Sequence, residues 1–201
     1  DRVAAVLPNC PEAVIGMLAA ASLGAIWSSC SPDFGINGIY DRLGQISPKI
    51  LITVNAYNYN GKEHQCLDKI REISQRISSI ESVFVSAFTE TPMELQGKEQ
   101  PWEALLDTSA GSLAFAQLPF DHPLYILYSS GTTGLPKSIV HGAGGTLLKH
   151  LTEHRYHADV QFGDRLFYFT TCGWMMWNWL ASGLASGATL ILYDGAPGFP
   201  D

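Results

Sequence analysis

The sequence predicts an α/β protein built around a parallel sheet. Short apolar runs of strand length alternate with stretches in which apolar residues recur at helical spacing, and turn residues such as Pro8, Pro32 and Pro48 separate them. With 201 residues, of which 46% are hydrophobic and 15% charged, the chain can bury a sizeable core and is too apolar for disorder.

Residues 1–88 are predicted to form a β-α repeat region. Arg2 to Leu7 is the first strand, and Pro11 and Glu12 open the first helix, because a fixed φ and a negative charge both suit a helix N-terminus. The remaining elements of this region are predicted as strands at 25–29, 50–54 and 82–88, helices at 36–46 and 67–77, and a polar loop at 55–61. Repeated β-α units of this length imply a parallel sheet with right-handed crossovers.

Residues 89–123 are predicted to be a connector within the domain, because polar and proline-rich sequence surrounds one short amphipathic piece, Trp102 to Leu106. Residues 124–201 form the third region. It is predicted to contain strands at 124–127, 165–170 and 189–193, and helices at 145–154 and 174–186.

The segment that follows the strand at 124–127 has the composition of a polyphosphate-binding loop. It reads Tyr-Ser-Ser-Gly-Thr-Thr-Gly-Leu-Pro-Lys from Tyr128 to Lys137, with hydroxyls, glycines and one lysine within a few residues. The candidate phosphate ligands are Ser129, Ser130, Gly131, Thr132, Thr133, Gly134 and Lys137. A Walker A loop is excluded, because Pro136 stands where its second glycine belongs and has no N–H to contribute to an anion-binding nest.

The same ten residues match the pattern [YF]-[ST]-S-G-[ST]-T-G-x-P-K. The chain therefore resembles the adenylate-forming enzymes: the acyl-CoA synthetases, the luciferases and the adenylation domains of peptide synthetases. Residues 164–174, which end in Cys172-Gly173-Trp174, resemble a motif of the acetyl-CoA synthetase branch. Residues 27–35 and 174–179 resemble most closely the acetoacetate-activating members of that branch.

The resemblance covers the whole chain and implies a fold, a reaction and a set of sites. The fold would be the layered parallel-sheet subdomains of the large AMP-binding domain, truncated, with the C-terminal domain absent. The reaction would be a ligation in which a carboxylate, here acetoacetate, reacts with Mg²⁺·ATP to give an acyl-adenylate and pyrophosphate, and coenzyme A then displaces AMP. The implied site residues are Thr132, Thr133 and Lys137 for catalysis, the loop from Ser129 to Lys137 for the ATP phosphates, Ser28 and Ser29 for coenzyme A, and Trp174, Met175 and Met176 for the acyl pocket.

Selectivity for a β-keto acid would require a polar partner for the keto oxygen, since one methylene in an apolar pocket discriminates weakly. Asn178 is the nearest candidate in the sequence. Helical spacing also allows Asn178 to be an amide on the helix surface, turned away from Trp174.

Charge, hydropathy and cysteine usage exclude other classes of function. The net charge is −7 and no basic run occurs, so nucleic acid is not an expected partner. The longest apolar stretch, 14–27, is too short to span a bilayer. The four cysteines Cys10, Cys30, Cys66 and Cys172 lie far apart and form no metal-binding motif, which favours reduced thiols in a cytosolic protein.

Alternative functions stay open at this level. One is ligation of acetate, propionate or another short-chain acid to coenzyme A, and another is a luciferase-like monooxygenase. A third follows from the resemblance, which places the adenine, metal and C-terminal lysine contacts beyond Asp201. The expectation is then that the chain is a truncated form that is inactive alone.

Overall fold

A computed structural model of the chain describes residues 1–107, 109, 111–129 and 134–199, and it confirms the α/β prediction. The strands of the described part are β1 (Arg2–Val6), β2 (Ile26–Cys30), β3 (Ile50–Val54), β4 (Ala56–Tyr59), β5 (Lys62–Gln65), β6 (Ser82–Ser86), β7 (Glu99–Pro101), β8 (Pro123–Tyr128), β9 (Ser138–Gly142), β10 (Arg165–Phe167) and β11 (Thr189–Ile191). Its α-helices are α1 (Pro11–Ser22), α2 (Ile36–Leu43), α3 (Leu67–Arg76), α4 (Ala143–Thr152) and α5 (Met175–Ala181). Shorter helical turns are Trp102–Leu105, Glu153–His157 and Ser182–Ser186.

The main sheet has the strand order β7-β6-β3-β1-β2-β8-β9, and every neighbouring pair is parallel except β8 and β9. The chain passes from β1 to β2 and then crosses back over β1 to β3. The connections therefore run in opposite directions from β1, and a crevice forms outside the carboxyl ends of the strands there. Ligands of open α/β sheets bind at such a crevice, so this edge is the first place to look for a site.

One predicted element was wrong, and one strand of the main sheet was missed. The predicted polar loop at 55–61 is instead the start of the β4–β5 hairpin, whose tip is Asn60 (φ +51°) and Gly61 (φ +72°). Positive φ at both central residues is the turn that an Asn-Gly pair favours, so the signal was present in the sequence. Strand β9 was not predicted at all, although it pairs with β8 from Tyr128↔Ser138 to Pro123↔Gly142.

The other element boundaries shift by a few residues. The predicted helix at 174–186 divides into α5 and the 3-10 turn Ser182–Ser186, and the connector at 89–123 contains the short strand β7 and a 3-10 helix with buried Trp102. Apolar side chains of β1, β2 and β3 form the centre of the core, where Ala5, Val6 and Trp27 are at most 1% exposed.

All four cysteines are buried free thiols. Burial raises the pKa of Cys30 to about 12 and that of Cys66 to about 11, so neither is a thiolate near neutral pH. Within the described ranges, no helix has both the length and the apolar character needed to cross a membrane.

Candidate functional site

The base of the phosphate loop is closed by contacts between Ser129 and Lys137. The backbone N–H of Ser129 donates to the Lys137 carbonyl oxygen at 3.0 Å, and the backbone N–H of Lys137 donates to Ser129 Oγ at 3.2 Å. The loop therefore leaves the sheet at the end of β8 and returns at the start of β9. Lys137 is exposed at the base of the loop.

Four of the predicted phosphate ligands, Ser130, Gly131, Thr132 and Thr133, lie outside the described residues. Gly134, at the other side of the loop, has φ +154° and no atom within 4 Å of where a Cβ would stand. A side chain there would be strained by the backbone rather than by its neighbours.

Ser28 and Ser29, predicted for coenzyme A, are buried in β2. Ser28 Oγ donates to the Ile126 carbonyl oxygen at 2.9 Å. Ser29 Oγ donates to the Cys172 carbonyl oxygen at 2.7 Å and accepts from Trp27 Nε1 at 3.2 Å. Both hydroxyls thus join β2 to its neighbours, and a role toward coenzyme A stays a prediction.

The aromatic segment around Trp174 is fixed to the carboxyl edge of the sheet. Trp177 is fully buried and its Nε1 donates to Asn9 Oδ1, just after β1, at 2.9 Å. Cys172 Sγ lies 3.2 Å from the Pro8 carbonyl oxygen. These anchors place Trp174 and Met175 at the end of β1 and β2 with their side chains about half exposed, at 50% and 47%. Met176 is partly buried.

The two predicted groups therefore converge. Because β2 and β8 are parallel neighbours, their carboxyl ends lie on the same edge, and adjacent strands are about 4.8 Å apart. The phosphate loop follows β8, and the segment that carries Trp174 packs on the end of β2.

A cavity of about 360 Å³, which we call the α4 cavity, opens between β9, α4 and Met175. Its lining residues are His141 from β9, Gly145, Thr146, Lys149, His150 and Glu153 from α4 and the turn after it, and Met175. Burial lowers the pKa of both His141 and His150, which favours neutral imidazoles at pH 7. Lys149 Nζ lies 2.8 Å from Glu153 Oε1. The cavity thus offers neutral hydrogen-bonding groups and a paired cation beside an apolar methionine.

Tyr125 lies beside His141, one of the residues that line this cavity. Its ring lies 5.1 Å from that of His141. Burial raises the pKa of the Tyr125 hydroxyl to about 12, and the nearby side chain of Thr146 partly offsets that shift. Asn178, the predicted partner of a keto oxygen, does not reach the cavity. It is 2% exposed with Nδ2 3.9 Å from Met17 Sδ, so it is neither in a pocket with Met175 nor on the helix surface.

A smaller crevice lies outside the ends of β1 and β2, and its lining includes Asp33, Tyr57, Thr171 and Asp194. Burial raises the pKa of Asp194 to about 6; the backbone of Asn58 lowers it and the charge of Asp33 raises it further. In the described part of the chain, no group of three or more His, Cys, Asp or Glu side chains is placed to hold a metal ion.

The raised pKa of Asp194 predicts a pH-dependent effect of Asp194→Asn on stability. The folded carboxyl binds a proton more tightly than the unfolded one, so its contribution to stability is lost as pH rises through about 6. Asparagine cannot ionise, so Asp194→Asn does not lose this stability as pH rises. The free energy of unfolding of the variant minus that of wild type should therefore be about 1 kcal/mol larger at pH 8 than at pH 4, which corresponds to roughly 3 °C in Tm. Thermal unfolding of the complete protein that carries these residues measures this. Asp121→Asn, at an exposed carboxylate, controls for charge removal, and an Asp194→Asn difference that does not change with pH would contradict the assignment.

Several residues at this edge were not predicted from the sequence. Thr146, Lys149, His150 and Glu153 recur at three- and four-residue spacing, so their shared helix face was visible in the pattern. Gln45 was not identifiable, because its contact with the phosphate loop spans 91 residues of sequence.

Known proteins similar to this chain in sequence and in structure are acyl-CoA synthetases. The sequence matches the family described as AMP-binding enzyme over residues 1–201. An acetoacetyl-coenzyme A synthetase of Rhizobium meliloti (strain 1021) is 56% identical over 203 residues, which cover all of this chain and 31% of that protein. The malonamoyl-CoA synthetase vrtB of Penicillium aethiopicum is 50% identical over 206 residues, covering 98% of this chain and 28% of that protein.

The solved structure of an acetoacetyl-CoA synthetase from Streptomyces lividans superposes with a TM-score of 0.93 at 47% identity, over all of this chain and 30% of that one. The chain thus spans about a third of the length of the relatives that it matches.

Proposed function

Because the chain belongs to the AMP-binding enzyme family, we propose that the complete protein that carries it joins acetoacetate to coenzyme A at the expense of ATP. In the first step a carboxylate oxygen of acetoacetate attacks the α-phosphorus of ATP, and the bond to the β-phosphate oxygen breaks to release pyrophosphate. In the second step the coenzyme A sulfur attacks the acyl carbon, loses its proton, and expels AMP.

One observation carries the first step: a loop of hydroxyls, glycines and a lysine is closed at its base at the carboxyl end of β8. Pyrophosphate is the leaving group, so donors that hold its oxygens in line also stabilise the charge that develops on it. We assign this role to Thr132, Thr133 and Lys137, with Ser129, Ser130, Gly131 and Gly134 shaping the loop.

Mg²⁺ is proposed to bind together with ATP. Mg²⁺ prefers phosphate oxygens, waters and one or two carboxylates to a cage made of protein alone, and when bound it offsets phosphate charge. We infer that it arrives as Mg²⁺·ATP, and that Lys137 adds a second cation. Ser28 and Ser29 are proposed to border the coenzyme A path through their small size. The four free thiols favour the cytosol as the compartment.

The acyl group is proposed to lie between Trp174, Met175 and Met176 and the α4 cavity. Met175 lines that cavity and is 47% exposed, so it can contact a small apolar chain. The polar residues of α4 are better placed than Asn178 to hydrogen-bond the β-carbonyl oxygen of the substrate, because Asn178 is buried against α1. Thr146 is our choice for the carbonyl partner, because its hydroxyl can donate and it needs no change of protonation.

The names of the relatives narrow the substrate class. Acetoacetate and malonamate are both short carboxylic acids with a carbonyl at the β-carbon. A site that hydrogen-bonds this carbonyl would accept both and reject butyrate, which has the same length as acetoacetate without the keto oxygen. Malonamate is therefore the second candidate substrate.

The test is a substrate panel on the complete protein, with kcat/KM measured for acetoacetate, malonamate, butyrate and acetate. Acetoacetate is expected to exceed butyrate by about 10- to 100-fold, the discrimination given by one buried hydrogen bond. Thr146→Val removes the hydroxyl at constant shape and should reduce that ratio about 10-fold, with kcat/KM for butyrate unchanged.

Thr152→Val, on the last turn of the same helix, is the matched control, because Thr152 is not among the residues that line the α4 cavity and its hydroxyl donates within the helix, to the Leu148 carbonyl oxygen at 2.8 Å. Equal values for acetate and acetoacetate in the wild type would contradict the proposed substrate. If Thr146→Val keeps the wild-type ratio of kcat/KM for acetoacetate to that for butyrate, a residue other than Thr146 binds the β-carbonyl.

A further inference from the structure

We propose that Gln45 is a positioning residue for the phosphate loop, which it holds by the two residues on either side of Lys137. That the loop binds the phosphates of ATP rests on the proposed function. That Gln45 holds the loop rests on its own contacts alone.

The carboxamide of Gln45 makes both contacts at once. Its Nε2 donates to the Pro136 carbonyl oxygen at 2.7 Å, and its Oε1 accepts from Ser138 Oγ at 3.0 Å. A carbonyl oxygen can only accept, so the amide nitrogen must face Pro136, and the amide oxygen is then left to the hydroxyl of Ser138. The two contacts fix the same orientation of the amide.

Gln45 is itself held in place at the end of α2. Its backbone N–H donates to the Arg42 carbonyl oxygen at 3.2 Å, and Nε2 also contacts the Asp41 carbonyl oxygen. The side chain therefore starts from an ordered helix end and not from a free loop, so it can impose a position on residues 136–138.

Lys137 is consequently fixed from two directions. Ser129 holds its backbone N–H and carbonyl oxygen from β8, and Gln45 holds its two neighbours from α2. Pro136 adds a fixed φ. The backbone of Lys137 is then set before any ligand binds, and its exposed side chain is the part left to move. A group placed in this way loses little entropy when it meets the leaving phosphate.

The first arm of the test uses Gln45→Leu in the complete protein. Adenylate formation, measured by acetoacetate-dependent pyrophosphate–ATP exchange, is expected to fall about 10-fold, in line with a misplaced catalytic group. Thiolysis of preformed acetoacetyl-adenylate is expected to stay within twofold, because pyrophosphate has left by then. Gln75→Leu, on an exposed position of α3, is the matched control and should leave both steps unchanged.

The second arm does not depend on activity. Trypsin cleaves after Lys137, and release of residues 136–138 in Gln45→Leu should speed that cleavage at least fivefold relative to wild type and Gln75→Leu. Gln45→Glu should behave like Gln45→Leu, because a carboxylate cannot donate to the Pro136 carbonyl oxygen. This second variant covers the case in which leucine disturbs the fold, and both must keep the wild-type Tm to count.

The outcomes separate the two proposals. Faster cleavage together with slower exchange and unchanged thiolysis supports the positioning role. Cleavage within twofold of wild type in both variants, or faster cleavage with unchanged exchange, overturns it. If the wild type shows no exchange with any acid of the panel, the proposed function fails, and unchanged cleavage would then show separately that Gln45 does not hold the loop.

Discussion

Replacing Lys137 by alanine in the complete protein is expected to slow formation of the acyl-adenylate by about 30- to 1000-fold. The ammonium is the single cation of the loop segment 128–138, and it stands at the base of the loop where pyrophosphate is proposed to leave. Loss of one charge-assisted contact to a developing anion costs about 2 to 4 kcal/mol in the transition state.

The measurement is the rate of pyrophosphate–ATP exchange beside the rate of thiolysis of preformed acyl-adenylate. Only the first should fall, and the double variant Thr132→Ala with Thr133→Ala should show the same division. Lys62→Ala, an exposed lysine on β5, controls for the loss of one positive charge. Exchange within twofold of wild type in Lys137→Ala would remove the lysine from the proposed mechanism.

The parallel core of the sheet was predictable because its strands are buried on both faces. Ile50 to Val54 is an uninterrupted apolar and β-branched run bounded by Pro48 and Asn55, and the predicted strand agrees with β3 residue for residue. Helix α1 was equally clear, since Pro11 and Glu12 mark its first turn. Local sequence and burial favour the same structure at these positions, which is when pattern reasoning succeeds.

The elements that were missed are short or depend on a distant partner. Strand β5 is Lys62–Gln65, and all four of its residues are exposed and polar, so it has no hydrophobic alternation. The Asn60-Gly61 turn is the local signal that indicates it. Strand β9 is half of an antiparallel pair with β8, and its residues Ile139 and Val140 are exposed. A strand at the edge of a sheet is stabilised by its backbone pairing, which a sequence pattern does not contain.

The candidate site shows the same division between local and distant information. The loop at 129–137 and the segment at Trp174 were predicted because each is a local motif. Their convergence on neighbouring strand ends follows from the strand order, which brings β8 beside β2 across nearly 100 residues. The polar face of α4 was visible in the residue spacing, but the packing of Met175 and His141 against it was not. The contact of Gln45 with the loop likewise joins residues 91 apart in the sequence, so no single segment indicates it.

The segment that carries Trp174 depends on Trp177 for its place at the sheet edge, and this predicts a large loss of stability in Trp177→Ala. Trp177 is fully buried, and truncation of such a side chain costs about 3 to 5 kcal/mol through lost burial and a residual cavity. Asn9 Oδ1 would lose its donor as well, in a residue whose Nδ2 already has no partner among the described residues. An unpaired buried polar atom adds about 1 to 3 kcal/mol, so the total belongs at the upper end of the range.

Chemical denaturation of the complete protein measures this free energy of unfolding. Trp174→Ala is the matched control three residues away, and because Trp174 is 50% exposed it should cost at most about 1 kcal/mol. Trp177→Phe keeps most of the apolar ring and removes the N–H, which isolates the bond to Asn9 at about 1 to 3 kcal/mol. Should Trp177→Ala cost no more than Trp174→Ala, the carboxyl edge of β1 would not be what holds α5. The proposed acyl pocket would then lose its structural support even if the phosphate loop kept its role.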